Sequence, residues 1–472
     1  MAWYSWLFPW RAKRRKVRPG QRAIYGDMGA PRGGRADRSS RLEKKLPHFH
    51  AMAGDTGRSR RGGTLEQIRS NIRNAFTPSL PVARAGMFAG RVEVLRTLIQ
   101  SIEDQQLHVV IYGERGIGKT SLLHIFSQIA RDARYIVRYA SCGEDTDFSG
   151  FFRAIMKDIP LLYHGDFAPT SEETEKGRSL ADLLPEGELT VAQVSEVFGR
   201  LSGTRVLLLL DEFDRASAPG FRRAIAELIK NLSDRSVCVQ LVIAGVASNL
   251  TELIEHIPSI RRNILGLQLP NMEKTEIEEL IHNGEAVCGL RYDEQVVETI
   301  TAVAHGSPYV ASLICQHAGI YALDREAVTV EKTDVLAAVK RALAELEQRV
   351  SPRSLFAIAN ARAAHYGARL GLLARAVLNT GGRFQLDQVE AVIERNEAGR
   401  AFLDKMVNQY GLIKRVENVP GEVYEFAEDG VAVYLWMSFA DGYFAAEPDF
   451  GDNSRPLAEV TRILETNMSR VG

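Results

Sequence analysis

Cysteine is scarce in this 472-residue chain. The four, Cys142, Cys238, Cys288 and Cys315, lie far apart, with neither the C-x-x-C spacing of a zinc or redox site nor the density of a disulfide framework. That excludes a disulfide-stapled secreted module and fits a reducing cytoplasm. Long apolar runs are missing as well. No stretch reaches the about 18 residues of a membrane-crossing helix, and the aromatic start from Trp3 to Trp10 is short and lacks a small-residue cleavage site. Net charge is absent too, since Lys+Arg and Asp+Glu both total 59. With 45% hydrophobic and 25% charged residues, the chain is neither collagen-like, nor coiled-coil, nor wholly disordered. Its length predicts about three domains.

The zero net charge conceals a split. Residues 1–63 carry sixteen Lys/Arg against four Asp/Glu, a net of +12, which leaves −12 on the remainder. Arg11, Lys13, Arg14, Arg15, Lys16 and Arg18 crowd together there, and apolar periodicity is missing after Trp10, so 1–63 reads as a disordered basic arm. Two readings of the arm stand: a binder of nucleic acid or anionic lipid, or a solvated tail ahead of a later start at Met28 or Met52.

Folding is expected from residue 64. Helical stretches over 65–75 and 92–102 flank an extended segment containing Phe76, Thr77 and Pro78, and residues 107–112 then read as a short, fully buried strand. At its end stands Gly113-Glu114-Arg115-Gly116-Ile117-Gly118-Lys119-Thr120, which matches G-x-x-x-x-G-K-[ST] at every fixed position and precedes a helical pattern over 121–130. The glycines let backbone N–H groups close around phosphate, and the helix N-terminus adds partial positive charge. Lys119 can reach β- and γ-phosphates, Thr120 can ligate Mg²⁺, and Ser121 completes the candidate set.

The complementary acids are expected at the end of a second buried strand, 206–210, which runs into Asp211-Glu212-Phe213-Asp214. Asp211 would hold Mg²⁺ and Glu212 would polarise the attacking water, because phosphoryl transfer needs mainly positioning and charge neutralisation. Asp214 reads as a helix cap. A third strand, 237–244, leads to Ser248 and Asn249, which read either as γ-phosphate sensors or as caps of a helix over 250–256. Arg261 and Arg262 read either as a finger reaching a neighbouring subunit's phosphate or as solvated surface arginines.

Alternating strands and helices from 107 to 269 predict an α/β fold, a P-loop NTPase αβα sandwich with a parallel sheet. An acidic loop insertion is expected at 165–189. The predicted division is a core over 64–270, a helical lid over 271–350, a winged-helix domain over 351–446 and a tail over 447–472 with one short helix, 457–467. In the lid, Gly306-Ser307-Pro308-Tyr309 opens a helix over 310–322; Pro308 either folds the lid onto nucleotide or simply starts the helix.

Phe88 to Arg91, the loop Gly113 to Thr120, Asp211-Glu212 and Gly306-Ser307-Pro308 together resemble the AAA+ and STAND superclass of ATPases. The resemblance is to the branch shared by origin-recognition initiators and the signal-transduction ATPases with numerous domains, and it spans residues 64–349. It implies a switch that binds ATP and hydrolyses it to ADP, with Mg²⁺, nucleotide between core and lid, and assembly with further copies or a protein partner. Initiators usually carry a lid arginine at the γ-phosphate; here Pro308 is followed by Tyr309-Val310-Ala311-Ser312, which favours the signalling branch.

Within 351–446, helical patterns near 355–366, 370–378, 386–395 and 399–410, then 412–416, a turn at 418–421 and 423–426, form a winged-helix layout. Helical spacing sends Phe402, Leu403, Met406 and Val407 inward and leaves Arg400, Lys405, Asn408 and Gln409 for solvent or a groove. In initiators the equivalent module binds DNA. Ten basic against eleven acidic residues give no basic footprint here, so a second reading stands, in which the module packs on the core and reports its state.

Overall fold

Five short apolar runs form a parallel sheet in the computed structural model, which describes residues 65–166, 177–235, 237–246, 258–389, 392–393, 397–416 and 421–446. Helix α1 (Leu65–Ala75) leads through an extended segment to α2 (Val92–Glu103), β1 (His108–Gly113), α3 (Lys119–Asp132), β2 (Ile136–Ser141) and α4 (Phe148–Lys157). There follow α5 (Val191–Gly199), β3 (Val206–Asp211), α6 (Pro219–Asp234), β4 (Val239–Val246) and β5 (Ile264–Gln268). The strand order is β2-β3-β4-β1-β5, and every neighbouring pair is parallel. Strand side chains alternate between faces, and both faces are apolar. Leu208, Leu210, Leu241 and Ile243 enter one layer, while Leu207, Leu209, Val242 and Ala244 enter the other. This is why β3 reads as an unbroken apolar run, and it is the α/β P-loop NTPase fold the sequence predicts. Parallel pairing also brings the carboxyl ends of β1 and β3 to one edge of the sheet.

Beyond β5 the chain forms α7 (Lys274–Cys288), β6 (Arg291–Tyr292), α8 (Glu294–Ala304), α9 (Pro308–Asp324), β7 (Thr329–Val330) and α10 (Lys332–Glu347). The region expected to be helical is so, and it also contains a two-residue parallel pair, β6 with β7. Tyr292 of this pair is buried, and its hydroxyl donates to the Cys315 carbonyl at 2.7 Å, tying the α7–α8 connection to α9. Helix α1 packs on these helices: the Phe76 ring fills the space left by Gly284, where a Cβ would lie 2.1 Å from Phe76 Cζ.

Last come α11 (Pro352–Ala363), α12 (Gly367–Leu378), β8 (Arg383–Gln385), α13 (Glu397–Asp404) with a π-helical turn Lys405–Gln409, β9 (Ile413–Arg415), β10 (Val423–Phe426) and α14 (Val431–Ala446). The strands form an antiparallel sheet in the order β8-β10-β9. Phe402, Leu403 and Met406 are buried, and Arg400, Lys405, Asn408 and Gln409 are exposed, as the spacing predicts. The helix expected over 386–395 is described only as a 3-10 turn, Leu386–Val389, preceded by a local Gln385 N–H to Gln388 Oε1 bond at 2.8 Å. Helix α14, which the sequence reading does not contain, lies along α12 and α10. Residues 1–63, 447–472, Ser248, Asn249 and 167–176 of the expected insertion lie outside the described residues.

Candidate functional site

The loop between β1 and α3 has the backbone that its glycines permit. Gly113 has φ +150°, and a Cβ on it would meet the Leu269 carbonyl oxygen at 2.8 Å. Gly118, at φ +101°, is the N-cap of α3 and turns the chain into the helix. Lys119 is buried, and its ammonium donates to the carbonyls of Gly113 at 2.9 Å and Glu114 at 2.7 Å. Burial pulls its pKa down to about 8, against the opposing charges of Asp214, Asp211 and Glu114.

The end of β3 meets this loop. Asp211 is buried, and its Oδ2 accepts from the Thr120 hydroxyl at 2.7 Å and from the Tyr139 hydroxyl at 2.8 Å. Its Oδ1 accepts the Glu212 N–H at 2.8 Å. Glu212 sits in the left-handed region, φ +53°, a conformation that costs a non-glycine residue about 1–2 kcal/mol. The Glu212 carboxylate accepts from the Ser141 hydroxyl at 3.1 Å and from Arg215 at 2.9 Å. Thr120 and Asp211 therefore converge two hard oxygen donors beside Lys119, a donor set that fits Mg²⁺.

The remaining expected site residues divide. Arg115 is exposed and Ile117 is buried in the sheet's apolar layer. The Ser121 hydroxyl is engaged away from the loop, accepting the Val82 N–H at 3.0 Å from the extended lead-in. Asp214 is not a helix cap: it lies within a 3-10 turn, Phe213–Arg215, and its Oδ1 accepts the Val246 N–H at 2.7 Å, tying the end of β3 to that of β4. Pro308, at the start of α9, does reach the loop; a Cβ on Gly118 would lie 4.0 Å from Pro308 Cγ, and one on Gly116 would lie 3.5 Å from Tyr309 Cβ. Arg261 and Arg262 are exposed in the 3-10 turn Pro258–Asn263. Ile264, just beyond that turn, pairs with His108 at the start of β1, so both arginines sit at the opposite edge of the sheet from the loop of the same chain.

Sequence reading missed Tyr139 and Ser141, which β2 presents to Asp211 and Glu212. The available signal was two polar groups two positions apart at the end of a strand beside β3. It also missed that Glu114 lies against Gly382, just ahead of β8. Glu114 Oε1 is buried without a hydrogen-bond partner among the described residues, and a Cβ on Gly382 would lie 3.1 Å from it. Burial raises the Glu114 pKa to about 7; Lys119 opposes the shift and Asp429 adds to it.

No curated protein sequence matches the chain. Among solved structures, the Thermotoga maritima RuvB Holliday junction branch migration motor is 16% identical, with 72% of this chain and 93% of that chain covered at a TM-score of 0.39. Pyrobaculum aerophilum Cdc6p is 14% identical, with 79% and 98% covered and a TM-score of 0.39. The Aeropyrum pernix ORC1 protein in complex with DNA is 16% identical, with 80% and 98% covered and a TM-score of 0.40. The family described as AAA ATPase domain matches residues 88–241, and over that span, from Phe88 to Leu241 within β4, the chain is similar to an AAA ATPase domain.

Proposed function

We propose that the protein is a cytoplasmic ATPase of the AAA+/STAND type, a molecular switch that couples ATP binding and hydrolysis to rearrangement or assembly of its domains. The observation that carries this reading is the convergence of Thr120 and Asp211, 2.7 Å apart, beside the buried Lys119 at the N-terminus of α3. Backbone N–H groups of the loop and the helix end take the phosphates. Lys119 exchanges its two loop carbonyls for β- and γ-phosphate oxygens. Thr120 and Asp211 would hold Mg²⁺, which when bound neutralises developing charge on the phosphates. Glu212 orients the attacking water once its carboxylate leaves Ser141 and Arg215. Water then displaces ADP from the γ-phosphorus, and phosphate departs. On this reading Arg261 and Arg262 serve a neighbouring copy's site and not their own, and Asn249 senses the γ-phosphate.

The 351–446 module, taken as a winged helix, serves as the reporter. Its alternative role, ATP-controlled DNA binding by an initiator, loader or transposition-type regulator aided by the basic arm, has less support. Lys414 pairs with Glu425 at 2.9 Å and Arg415 with Asp404 at 3.3 Å, so positive charge near the exposed face of α13 is partly neutralised. Lys119→Ala is expected to abolish nucleotide binding measured by calorimetry; retained affinity would remove the loop from the account.

A further inference from the structure

Edge strand β2 places a third group on the metal side of the site. Tyr139 donates to Asp211 Oδ2 at 2.8 Å, the same oxygen that accepts the Thr120 hydroxyl, while the Glu212 N–H holds Oδ1. The carboxylate is therefore pinned through both oxygens by three elements. Tyr139 adds little to the apolar core, since it remains 37% exposed. Its ring packs on His124, one turn along α3 from Thr120, with centroids 5.0 Å apart.

Resting on the reading of a Mg²⁺-dependent nucleotide site, we infer that Tyr139 is a positioning residue that fixes the Asp211 carboxylate in its cation-holding orientation. Thr120 could ligate a cation through an oxygen lone pair and still donate its proton to Asp211, so loading would leave that bond in place. Of the two hydroxyls on Asp211 Oδ2, that of Tyr139 has no ligand role, so its task is orientation, alongside the Glu212 N–H on Oδ1. Mg²⁺ demands near-octahedral geometry, and partners that orient ligating carboxylates typically contribute about 10–100-fold in metal affinity.

Tyr139→Phe keeps the ring and its packing on His124 while removing the donor. Binding of ADP to the full chain is measured by calorimetry with Mg²⁺ and with EDTA, alongside thermal melting. The expected result is affinity about tenfold weaker with Mg²⁺, unchanged affinity in EDTA and an unchanged melting temperature. Equal losses in both conditions, or no loss with Mg²⁺, overturn the inference alone. A wild-type chain that binds ADP without regard to Mg²⁺ overturns the underlying reading, and this inference with it.

Discussion

Around the parallel sheet, two apolar layers stay apart, one holding Leu208 and Phe213 and the other Leu207 and Phe126. The helical half is built otherwise. A single cluster runs from Ile72 and Phe76 through Ile314 and Val339 to Leu373, Trp436 and Met437, crossing the expected boundary between lid and winged-helix domain. Parting those two domains would expose a continuous core. The sheet half meets the helical half through Met87 and Ala89, which are buried in the helical cluster, and through a set of polar bonds and loop contacts. The Gly90 and Arg91 N–H groups donate to Glu279 and Glu276, and the loop touches Tyr309 and Gly382. On the proposed switch reading, the difference places a nucleotide-driven motion at this seam, with 271–446 and α1 expected to move as one body against the sheet.

The sharpest way to break the comparison is at the joint inside the helical half. Trp436 is buried, donates to the Val303 carbonyl at 2.9 Å and is stacked by Arg375. Trp436→Ala is expected to cost about 3–5 kcal/mol and to lower the melting of lid and last domain together. If amide exchange showed only one of the two loosened, they would be separate bodies.

A smaller effect is expected at the seam itself. Gly382 has φ +83° and lies against Glu114, so Gly382→Ala is expected to weaken docking by about 1–2 kcal/mol and speed proteolysis between the halves. Unchanged cleavage would show that the seam is not held there.

The smallest effect is a pH dependence. Because burial lifts the Glu114 carboxyl from 4.5 to about 7, with Asp429 adding to the shift and Lys119 opposing it, the docked form favours the protonated acid. Its contribution is full below the unshifted pKa and is lost as pH rises through about 7. Docking, read by the same proteolysis, should therefore loosen over that window, and Glu114→Gln should flatten the profile. A profile unaltered in that variant would assign the dependence elsewhere.

What was legible in the sequence follows from how local each feature is. The phosphate loop is eight consecutive residues whose spacing carries its own chemistry, and Asp211-Glu212 closes a strand that is apolar throughout. Tyr139 and Ser141 act on residues about 70 positions away, through a register that pairs β2 with β3 and that only the folded sheet supplies. Helix α14 escaped because Val431–Ala446 is apolar on nearly every side, packed between α12 and α10, and so shows no 3.6-residue alternation. Asp214 reads as a helix cap in the sequence, whereas its bond to Val246 depends on β4 lying beside β3.

Steady-state ATP hydrolysis by the wild type beside Glu212→Gln, with ATP binding measured on the same samples, tests the central claim most directly. The account predicts Mg²⁺-dependent turnover in the wild type, and in the variant retained binding with turnover lost. Equal turnover in the two proteins, or none in a wild type that binds ATP, would contradict it.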